Sequence, residues 1–394
     1  KSDTLFPGDW AYDSLKDLTN SPKFNGKSVS RLEAAAELNN LIAGGEGLMN
    51  GAAINRLSDE LGSELAIMKG RVDGLEARVN TIEAGSFSET TTASFAADFL
   101  IGSEEGVSGN EAVTAGYSFG MKLKTSFSGD DQLQVKFDAG NADDGNLDEF
   151  DKHDKGDTLI VDGISYKFPI GDKTIAFVGD SVDGSSLYNT ACVYSGPSKT
   201  LSDCGVSESP LGKGAGTAAG LSYEIGNGFT LGFAYTGDGT TEGLMTKEGL
   251  DAYGTQLSYE GDSYGASITY SINETSTSAE TTYWGLNAYY QPESSLPSIS
   301  VGYEMGDPST SGAKDTTHYF AGLQWDDFGP GKLGVAVGTK SHTAEDATEL
   351  LMYEAFYSYP LNDGMTITPL VYVKENSSGT DDQTGMMVKT SFKF

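Results

Sequence analysis

Carboxylates with metal-binding potential are concentrated in one segment of the sequence, residues 141–154. It carries Asp143, Asp144, Asp148 and Asp151, and oxygen ligands of this kind suit a divalent cation. The spacing lacks the glycine that an EF-hand loop requires, so we favour the alternative of a solvated acidic loop. A loosely bound cation at Asp143, Asp144 and Asp148 stays open as a second interpretation.

No other group of reactive side chains has the spacing of a catalytic site. The three histidines, His153, His318 and His342, do not stand beside a recognisable nucleophile motif, which argues against a Ser/His hydrolase. The glycines form no phosphate-binding loop, and two cysteines in 394 residues make neither a disulfide framework nor a zinc site. We therefore expect no catalytic residues, no structural metal and no cofactor.

Alternation of apolar and polar residues is the dominant pattern from Thr91 onward. In residues 112–127, AVTAGYSFGMKLKTSF, the residues from Val113 to Phe127 on one parity are mainly apolar, and the other parity includes Lys122 and Lys124. Successive side chains of a strand point to opposite faces, so one face is apolar and the other is wet. This segment is longer than the usual strand of about five or six residues, and it suits a tilted membrane strand, which needs about 9–11.

Composition is compatible with a membrane barrel. The mean hydropathy of -0.31 is low because only every second strand residue of such a barrel must be apolar. A net charge of -32 argues against nucleic acid as a partner. The first thirty residues lack the basic and apolar regions of a signal peptide, so we expect that any such peptide has been removed.

About sixteen alternating segments follow one another, an even number as in single-chain bacterial barrels. Tight turns alternate with longer polar connections, the arrangement expected of a barrel with turns at one end and loops at the other. A soluble array of β-sandwiches, the alternative, explains neither the alternation of connections nor the strand length. Strands are predicted over residues 95–101, 113–127, 133–139, 160–168, 175–179, 215–225, 229–235, 253–259, 264–272, 284–290, 299–305, 319–325, 333–337, 351–359, 365–373 and 386–394.

Two short helices are predicted before the barrel, within residues 1–45. Asp9 can open the first helix, and Ser30 with Glu33 forms a capping-box pattern for the second. GDWAY at residues 8–12 and SRLE at residues 30–33 resemble a single S-layer-homology domain. That resemblance implies that Trp10, Arg31 and Glu33 bind a polysaccharide attached to peptidoglycan. The alternative is an ordinary helix start with a solvated Arg31.

A heptad pattern occupies residues 52–84. The predicted coiled-coil core consists of Leu61, Leu65, Met68, Val72, Leu75, Val79 and Ile82. In a parallel coiled coil the flanking charges pair with opposite sign: Glu64 with Lys69, Arg71 with Glu76, and Arg78 with Glu83. The alternative is a single amphipathic helix that packs on its own domain. That alternative would not explain why all three charge pairs are opposite in sign.

The order of these modules, with a final alternating strand that ends in Phe394, is similar to cyanobacterial outer-membrane porins bearing an N-terminal S-layer-homology domain. The expected fold is an all-β transmembrane barrel of about sixteen antiparallel strands, residues 90–394, preceded by a small helical domain and a parallel coiled coil. The strand number makes three the best guess for the oligomer, and the resemblance implies that this homotrimer lies in the outer membrane. Its partners would be membrane lipid and lipopolysaccharide, with the N-terminal domain in the periplasm.

The resemblance also implies that the third long loop folds into the barrel as its constriction. The corresponding connection, residues 180–214, is the longest in the chain and holds Cys192 and Cys204. In an oxidising compartment we expect a disulfide between them, with two free thiols as the alternative. Acidic residues of the loop would line the narrow region: Asp180, Asp183, Asp203 and Glu208.

Lysines on the wet face of the early strands would form the opposite pore wall, near the turn end: Lys122, Lys124, Lys136 and Lys167. Lys389 and Lys393 on the last strand share that parity. A basic wall facing an acidic loop would orient dipolar solutes and filter ions, whereas simple solvation of these lysines is the alternative. All four arginines precede the barrel, so the arginine cluster of many general porins is missing.

The predicted function is passive diffusion of inorganic ions and small polar solutes, without enzymatic activity and with tethering to peptidoglycan. The acidic loops predict cation preference at the mouths. The rival interpretation is a structural tether between membrane and peptidoglycan whose barrel is nearly closed. A TonB-type transporter is disfavoured, because a coiled coil stands where a plug would be expected.

Overall fold

The computed structural model describes residues 3–19, 21–43, 51–69, 90–106, 111–142, 145–150, 152, 156–211, 216–239, 242–377 and 380–394. The chain divides into two compact units, Lys1–Glu89 and Thr90–Phe394. None of the helices in the described ranges is long and apolar enough to cross a membrane.

The N-terminal unit combines a two-stranded sheet with helices. Strand β1 (Thr4–Leu5) pairs antiparallel with β2 (Val29–Ser30), and the helices are α1 (Trp10–Thr19), α2 (Arg31–Ala43) and α3 (Gly51–Glu60). Apolar side chains from the three helices fill the core, among them Tyr12, Leu15, Leu38 and Leu57.

The predicted capping box begins α2. The Ser30 N–H donates to Glu33 Oε2 (3.1 Å), and the Glu33 N–H donates to Ser30 Oγ (3.2 Å). Two backbone donors that a helix start leaves without partners are thereby satisfied. This prediction is confirmed, and Glu33 acts here as a capping residue.

The first part of the predicted heptad seam packs within the chain. Residues 62–69 are helical after a turn at Leu61. Leu61 is fully buried in the N-terminal core, and Leu65 and Met68 pack against the same core. The other predicted seam residues, Val72, Leu75, Val79 and Ile82, lie outside the described residues, so the coiled coil stays a prediction.

Arg31 is buried rather than solvated or turned toward a ligand. Only 6% of Arg31 is exposed. Its Nε donates to Glu64 Oε1 (2.8 Å), its Nη1 to Glu60 Oε1 (3.0 Å) and its Nη2 to the Glu60 carbonyl oxygen. The guanidinium thus joins α2 to the end of α3 and to the helical residues 62–69 beyond it. These contacts correct the alternative of a solvated Arg31 and give the side chain a structural role, whereas polysaccharide binding by Arg31 stays a prediction.

The second unit consists of sixteen long antiparallel strands that close into a barrel, counted over the described residues. They are β3 (Thr91–Glu105), β4 (Thr114–Thr125), β5 (Gln132–Gly140), β6 (Ile160–Ile170), β7 (Thr174–Asp180), β8 (Thr217–Gly226), β9 (Phe229–Gly237), β10 (Asp251–Glu260), β11 (Tyr264–Ser276), β12 (Ala279–Tyr290), β13 (Ser298–Pro308), β14 (Thr316–Phe328), β15 (Gly331–Thr339), β17 (Leu351–Asn362), β18 (Met365–Lys374) and β19 (Gln383–Lys393). A two-residue strand, β16 (Thr343–Ala344), pairs with β14. The predicted architecture and strand number are confirmed.

Pairing of β19 with β3 closes the barrel. The ladder runs from Thr384 opposite Glu105 to Lys393 opposite Ala96. It is extended by reciprocal backbone hydrogen bonds between Phe95 and Phe394 (2.9 and 3.2 Å), whose rings stack with centroids 5.6 Å apart. The closed ladder leaves no free sheet edge, as a membrane barrel requires.

The two faces of the sheet follow the predicted alternation on most strands. On β13, Ser298, Ser300 and Glu304 point inward and are buried, whereas Ile299 and Val301 are exposed on the outside. Connections at one end of the barrel are short and those at the other end are mostly long. We call these the turn end and the loop end.

The pairing of β5 with β6 departs from simple alternation within the ladder. A register shift between Lys136 and Phe137 places Val161 opposite Phe137 and Ile160 opposite Asp138. A β-bulge of this kind moves the following side chains to the other face of the sheet. Ile160, predicted on the outer face, therefore lies on the inner face, and the exposed residue is Val161.

We expect Arg31→Met to destabilise the N-terminal unit at pH 7. The substitution removes three hydrogen bonds, to the carboxylates of Glu60 and Glu64 and to the Glu60 carbonyl oxygen, at a cost of about 1–3 kcal/mol. Hydrogen exchange of α2 and α3 in the full-length protein would measure the loss of protection. Lys23→Met, which breaks only an ion pair at an exposed lysine with Glu37, serves as the control. Equal protection in wild type and the Arg31 variant would contradict the structural role.

The same contact predicts acid sensitivity. Hydrogen bonding to Arg31 lowers the pKa of Glu64 from 4.5 to about 2. A carboxyl group with a lowered folded-state pKa stabilises the fold above its unfolded pKa, and that contribution is lost as the pH falls from about 4.5 to about 2. Protection of α2 should fall through this range in wild type and depend less on pH in the Arg31 variant.

Candidate functional site

The long connection that follows β7 folds into the barrel over its described residues, 181–211. Its backbone N–H groups donate to inward-facing side chains of β10, β11, β13 and β14. These bonds join Asn189 to Gln256 (2.8 Å), Ala191 to Ser267 (3.0 Å), Val193 to Ser300 (3.0 Å) and Ser195 to Gln324 (2.9 Å). The loop therefore lies along the inner wall and is fixed by it.

A disulfide between Cys192 and Cys204 links two stretches of this loop, with Cα atoms 6.5 Å apart. The Cys204 carbonyl oxygen accepts a hydrogen bond from Asn287 Nδ2 on β12 (3.0 Å). A Cβ atom at Gly302 on β13 would overlap that oxygen. Glycine at 302 therefore permits the cross-linked part of the loop to touch the wall.

A buried carboxylate holds the distal part of the loop. Glu304 on β13 is fully buried and accepts the N–H groups of Glu208 (3.1 Å) and Ser209 (2.7 Å). His342 Nε2 lies 2.7 Å from the same carboxylate, and its ring stacks on that of His318 at 5.0 Å. Glu304 thus supplies to the loop the hydrogen bonds that a neighbouring strand would supply in a sheet.

The four acidic residues predicted for the constriction are not gathered in one cluster. Asp180 is the last residue of β7 and accepts a hydrogen bond from Thr217 on β8 (3.2 Å), and Asp183 follows it in an exposed position. Asp203 lies 3.6 Å from His318 Nε2, near β14. Glu208 is anchored to Glu304, so the loop carries its acids at its two ends.

The four predicted wall lysines do share one region of the inner wall. Lys122 on β4 stands directly opposite Lys136 on β5, and Lys124 lies two residues closer to the turn end. Lys167 on β6 is opposite Gln132 and donates to the Ser186 carbonyl oxygen of the long loop (3.1 Å). Like charges directly opposite on neighbouring strands repel, so this surface favours anionic partners in the lumen.

An acidic cavity opens at the loop end. It has a volume of about 390 Å³ and lies between the distal part of the long loop and β9 to β12. Its ionisable and polar lining residues include Glu208, Asp238, Asp251, Asn273, Glu274 and Tyr283. The lumen therefore carries negative charge at the loop end and positive charge, from the lysine wall, nearer the turn end.

The wet inner face predicted for every strand is wrong for one sector. Inward-facing side chains of β3, β14, β15, β17, β18 and β19 form an apolar cluster: Leu100, Phe320, Ala336, Met352, Phe356, Leu370, Tyr372 and Met387. A 3-10 helix from the preceding long connection, Gly145–Phe150, packs on it through Leu147 and Phe150. Apolar residues can face inward there because this segment and the long loop cover them.

Only one of the predicted cation ligands lies within the described residues. Asp148 lies on the 3-10 helix and pairs with Lys199 at 2.9 Å, whereas Asp143, Asp144 and Asp151 lie outside the described residues. Within the described part of the chain, no group of three or more His, Cys, Asp or Glu side chains is arranged to hold a metal ion.

Trp10, predicted to bind polysaccharide, begins α1 and is 37% exposed. The guanidinium carbon of Arg56 lies 3.9 Å from its ring centroid, a cation–π contact. One face of the indole is therefore engaged within the unit.

Several residues that organise the lumen were missed from the sequence, chiefly Glu304, Glu149 and Gly302. A signal was present for Glu304, which stands among apolar or small residues, where an isolated carboxylate needs partners. Glu149 gave no such signal, because it lies in a segment rich in charged residues. The partners themselves come from distant loops, which alternation does not reveal.

We expect Gly302→Ala to displace the disulfide-bonded part of the loop from the wall. The new methyl group cannot move the ladder of β13, so the loop must shift, at a cost of about 1–3 kcal/mol. Single-channel recording should show a changed conductance. Gly120→Ala is the control, since an added Cβ on that inward-facing glycine meets only Asp138 Oδ1 at 3.3 Å. Identical conductance in both variants would contradict the role given to Gly302.

Comparison with known proteins agrees with this geometry. A relative from Nostoc sp. (strain PCC 7120), described as uncharacterized, is 26% identical, and the match covers 98% of this chain and 84% of the relative. OprB of Pseudomonas putida has the same fold, with a TM-score of 0.58 at 11% identity over 82% of this chain and 97% of OprB. A mutant porin of Rh. blastica gives 0.51 at 15% identity over 77% of this chain and 100% of that one.

The family described as Gram-negative porin matches residues 68–380, which is most of the chain and nearly all of the barrel. Porins of this family are outer-membrane channels, and a closed sixteen-strand barrel with a loop folded into its lumen is the corresponding architecture. The chain therefore belongs to the Gram-negative porin family.

Proposed function

We propose that this porin is a passive diffusion channel for inorganic ions and small polar solutes. The observation that carries the proposal is the long loop held inside a closed barrel by side chains of four strands. A fixed loop narrows the lumen without a moving part, which suits selection by size and charge. The path for solutes runs beside the lysine wall of β4 to β6.

The charge arrangement supports cation preference at the loop end. Carboxylates of Glu208, Asp238, Asp251 and Glu274 surround the cavity there, and they would concentrate cations before the lumen narrows. The lysine wall lies deeper and would then act on anions and on the negative ends of dipolar solutes.

Assembly and orientation complete the proposal. The barrel forms a homotrimer embedded in outer-membrane lipid and lipopolysaccharide, with the turn end and the N-terminal unit in the periplasm. Support comes from the strand number, from the exposed apolar outer face and from the charge register of the heptads.

A tether to peptidoglycan-linked polysaccharide is a second proposal for the N-terminal unit. The exposed Trp10 beside Arg56 favours it, because an indole with one free face can stack on a sugar ring. Arg31 is not included in this proposal, because only 6% of it is exposed and its guanidinium already donates to Glu60 and Glu64. A sugar pull-down with Trp10→Ala that equals wild type would remove this role.

Conductance of the purified oligomer in a planar bilayer tests the channel and the disulfide together. We expect discrete steps in groups of three, and a changed step size after reduction, because the Cys192–Cys204 bond limits the mobility of the loop. A double Cys→Ser variant is the control and should not respond to reductant. A folded barrel that stays silent would shift the proposal to the tether with a nearly closed barrel.

Neutralising the wall lysines should shift ion selectivity. Lys122→Gln with Lys136→Gln removes two positive charges from the lumen, so the reversal potential in a salt gradient should move toward greater cation preference. Lys314→Gln, in a loop-end connection, is the matched charge control. An anion-preferring wild-type channel would contradict the expectation for the loop end, and an unmoved potential would contradict the role of the wall.

A further inference from the structure

A second segment besides the disulfide-bonded loop is built into the lumen. Residues 145–150 form the 3-10 helix described above, and Leu147 and Phe150 are each 2% exposed. They pack in one cluster with Leu100, Leu370 and Met387 from the barrel wall. Such burial stabilises the segment by roughly 1.5–3 kcal/mol for each large side chain.

The wall is shaped to receive this segment. A Cβ atom on Gly102 of β3 would lie 2.7 Å from Met387 Cγ and 3.2 Å from Leu147 Cδ2. A Cβ atom on Gly116 of β4 would lie 3.0 Å from the Cα of Ala142. The two inward-facing glycines thus leave room for Leu147 of the inserted segment and for Ala142 of the chain that precedes it.

Glu149 connects the inserted segment to both of its neighbours. Its side chain forms an ion pair with Lys374 on β18, and Glu149 Oε1 accepts the hydroxyl of Thr200 (2.9 Å) from the disulfide-bonded loop. Its backbone carbonyl oxygen accepts the N–H of Lys199 (2.7 Å). Wall, inserted segment and disulfide-bonded loop therefore meet at this one residue.

Burial makes this connection strong. Glu149 is 1% exposed and Lys374 is 8% exposed. A buried ion pair adds little stability compared with an apolar pair, but removal of one partner leaves a buried charge without compensation. A second pair, Lys152 with Asp98 on β3 (2.8 Å), holds the chain just after the 3-10 helix.

We propose that residues 145–150 are a second constriction element of this channel and that Glu149 is its positioning residue. This proposal rests on the diffusion function proposed above. The inserted segment fills the sector between β17 and β3, so solutes are confined to the sector that carries the lysines. Glu149 fixes the position of the disulfide-bonded loop through Thr200 and Lys199, which makes the size limit of the channel depend on a residue outside that loop.

The test uses Glu149→Gln in the full-length protein. The variant removes one charge with little change of shape and leaves Lys374 buried and unpaired. We expect single-channel conductance to rise about twofold as the two loops move apart and the pore widens. Liposomes carrying the variant should swell with sugars that wild-type liposomes exclude. Asp363→Asn is the matched control, because it removes one acidic charge at an exposed position in the turn between β17 and β18, away from both inserted segments, and it should conduct as wild type does.

The double variant Glu149→Gln with Lys374→Met separates positioning from general damage. Removal of both charges leaves no unpaired buried charge, so its conductance should return toward wild type, whereas Lys374→Met alone should resemble Glu149→Gln. Gel mobility with and without heating shows in each case whether the barrel is folded. A folded Glu149→Gln channel with wild-type conductance and size limit would overturn the proposal.

The outcome also distinguishes this proposal from the diffusion function itself. If the folded wild type is silent and Glu149→Gln conducts, the second constriction is supported and free diffusion through the native channel is overturned. If both are silent while folded, both proposals fail.

Discussion

Closure of the sheet is the constraint on which the rest of this structure depends. Once β19 pairs with β3, the strand backbones have found their hydrogen-bond partners within the ladder. A loop that enters the lumen must then obtain its own partners from side chains, since a buried backbone donor without one is costly. Four inward-facing side chains accept hydrogen bonds from the loop backbone: Ser267, Ser300, Gln256 and Gln324. Glu304 accepts two further N–H groups, one on each carboxylate oxygen.

The interior is consequently divided into three sectors by the chemistry of its wall. Hydroxyl and amide side chains on β10 to β14 hold extended backbone, whereas apolar side chains on β17 to β3 hold the short helix. The lysines of β4 to β6 repel one another and leave a solvated surface. The open part of the lumen is therefore the sector that neither inserted segment covers. Its charge is positive because the uncovered strands, β4 to β6, carry the lysines.

Alternation was sufficient to predict the barrel, its strand number and most of the inward-facing residues. It was sufficient because each lipid-facing residue is constrained by the membrane independently of the others. It failed where a residue faces another part of the same chain. Met352 and Leu370 occupy inward-facing positions of their strands. They were not recognised as part of a core, because they form one only together with Leu147 and Phe150 in the folded structure. The bulge that moves Ile160 inward likewise depends on pairing with β5, and Arg31 depends on Glu60 and Glu64 about thirty residues away.

The hydrogen bond between Ser391 and Asp98 joins residues 293 positions apart in the sequence. Contacts of such long range form late, because most of the chain must be ordered before they gain anything. We therefore expect the seam to form late, since it carries the loop-closure cost of nearly the whole barrel. Asp98 accepts this hydrogen bond across the seam and also pairs with Lys152, which follows the inserted segment. One carboxylate thus couples closure of the wall to packing of the channel interior.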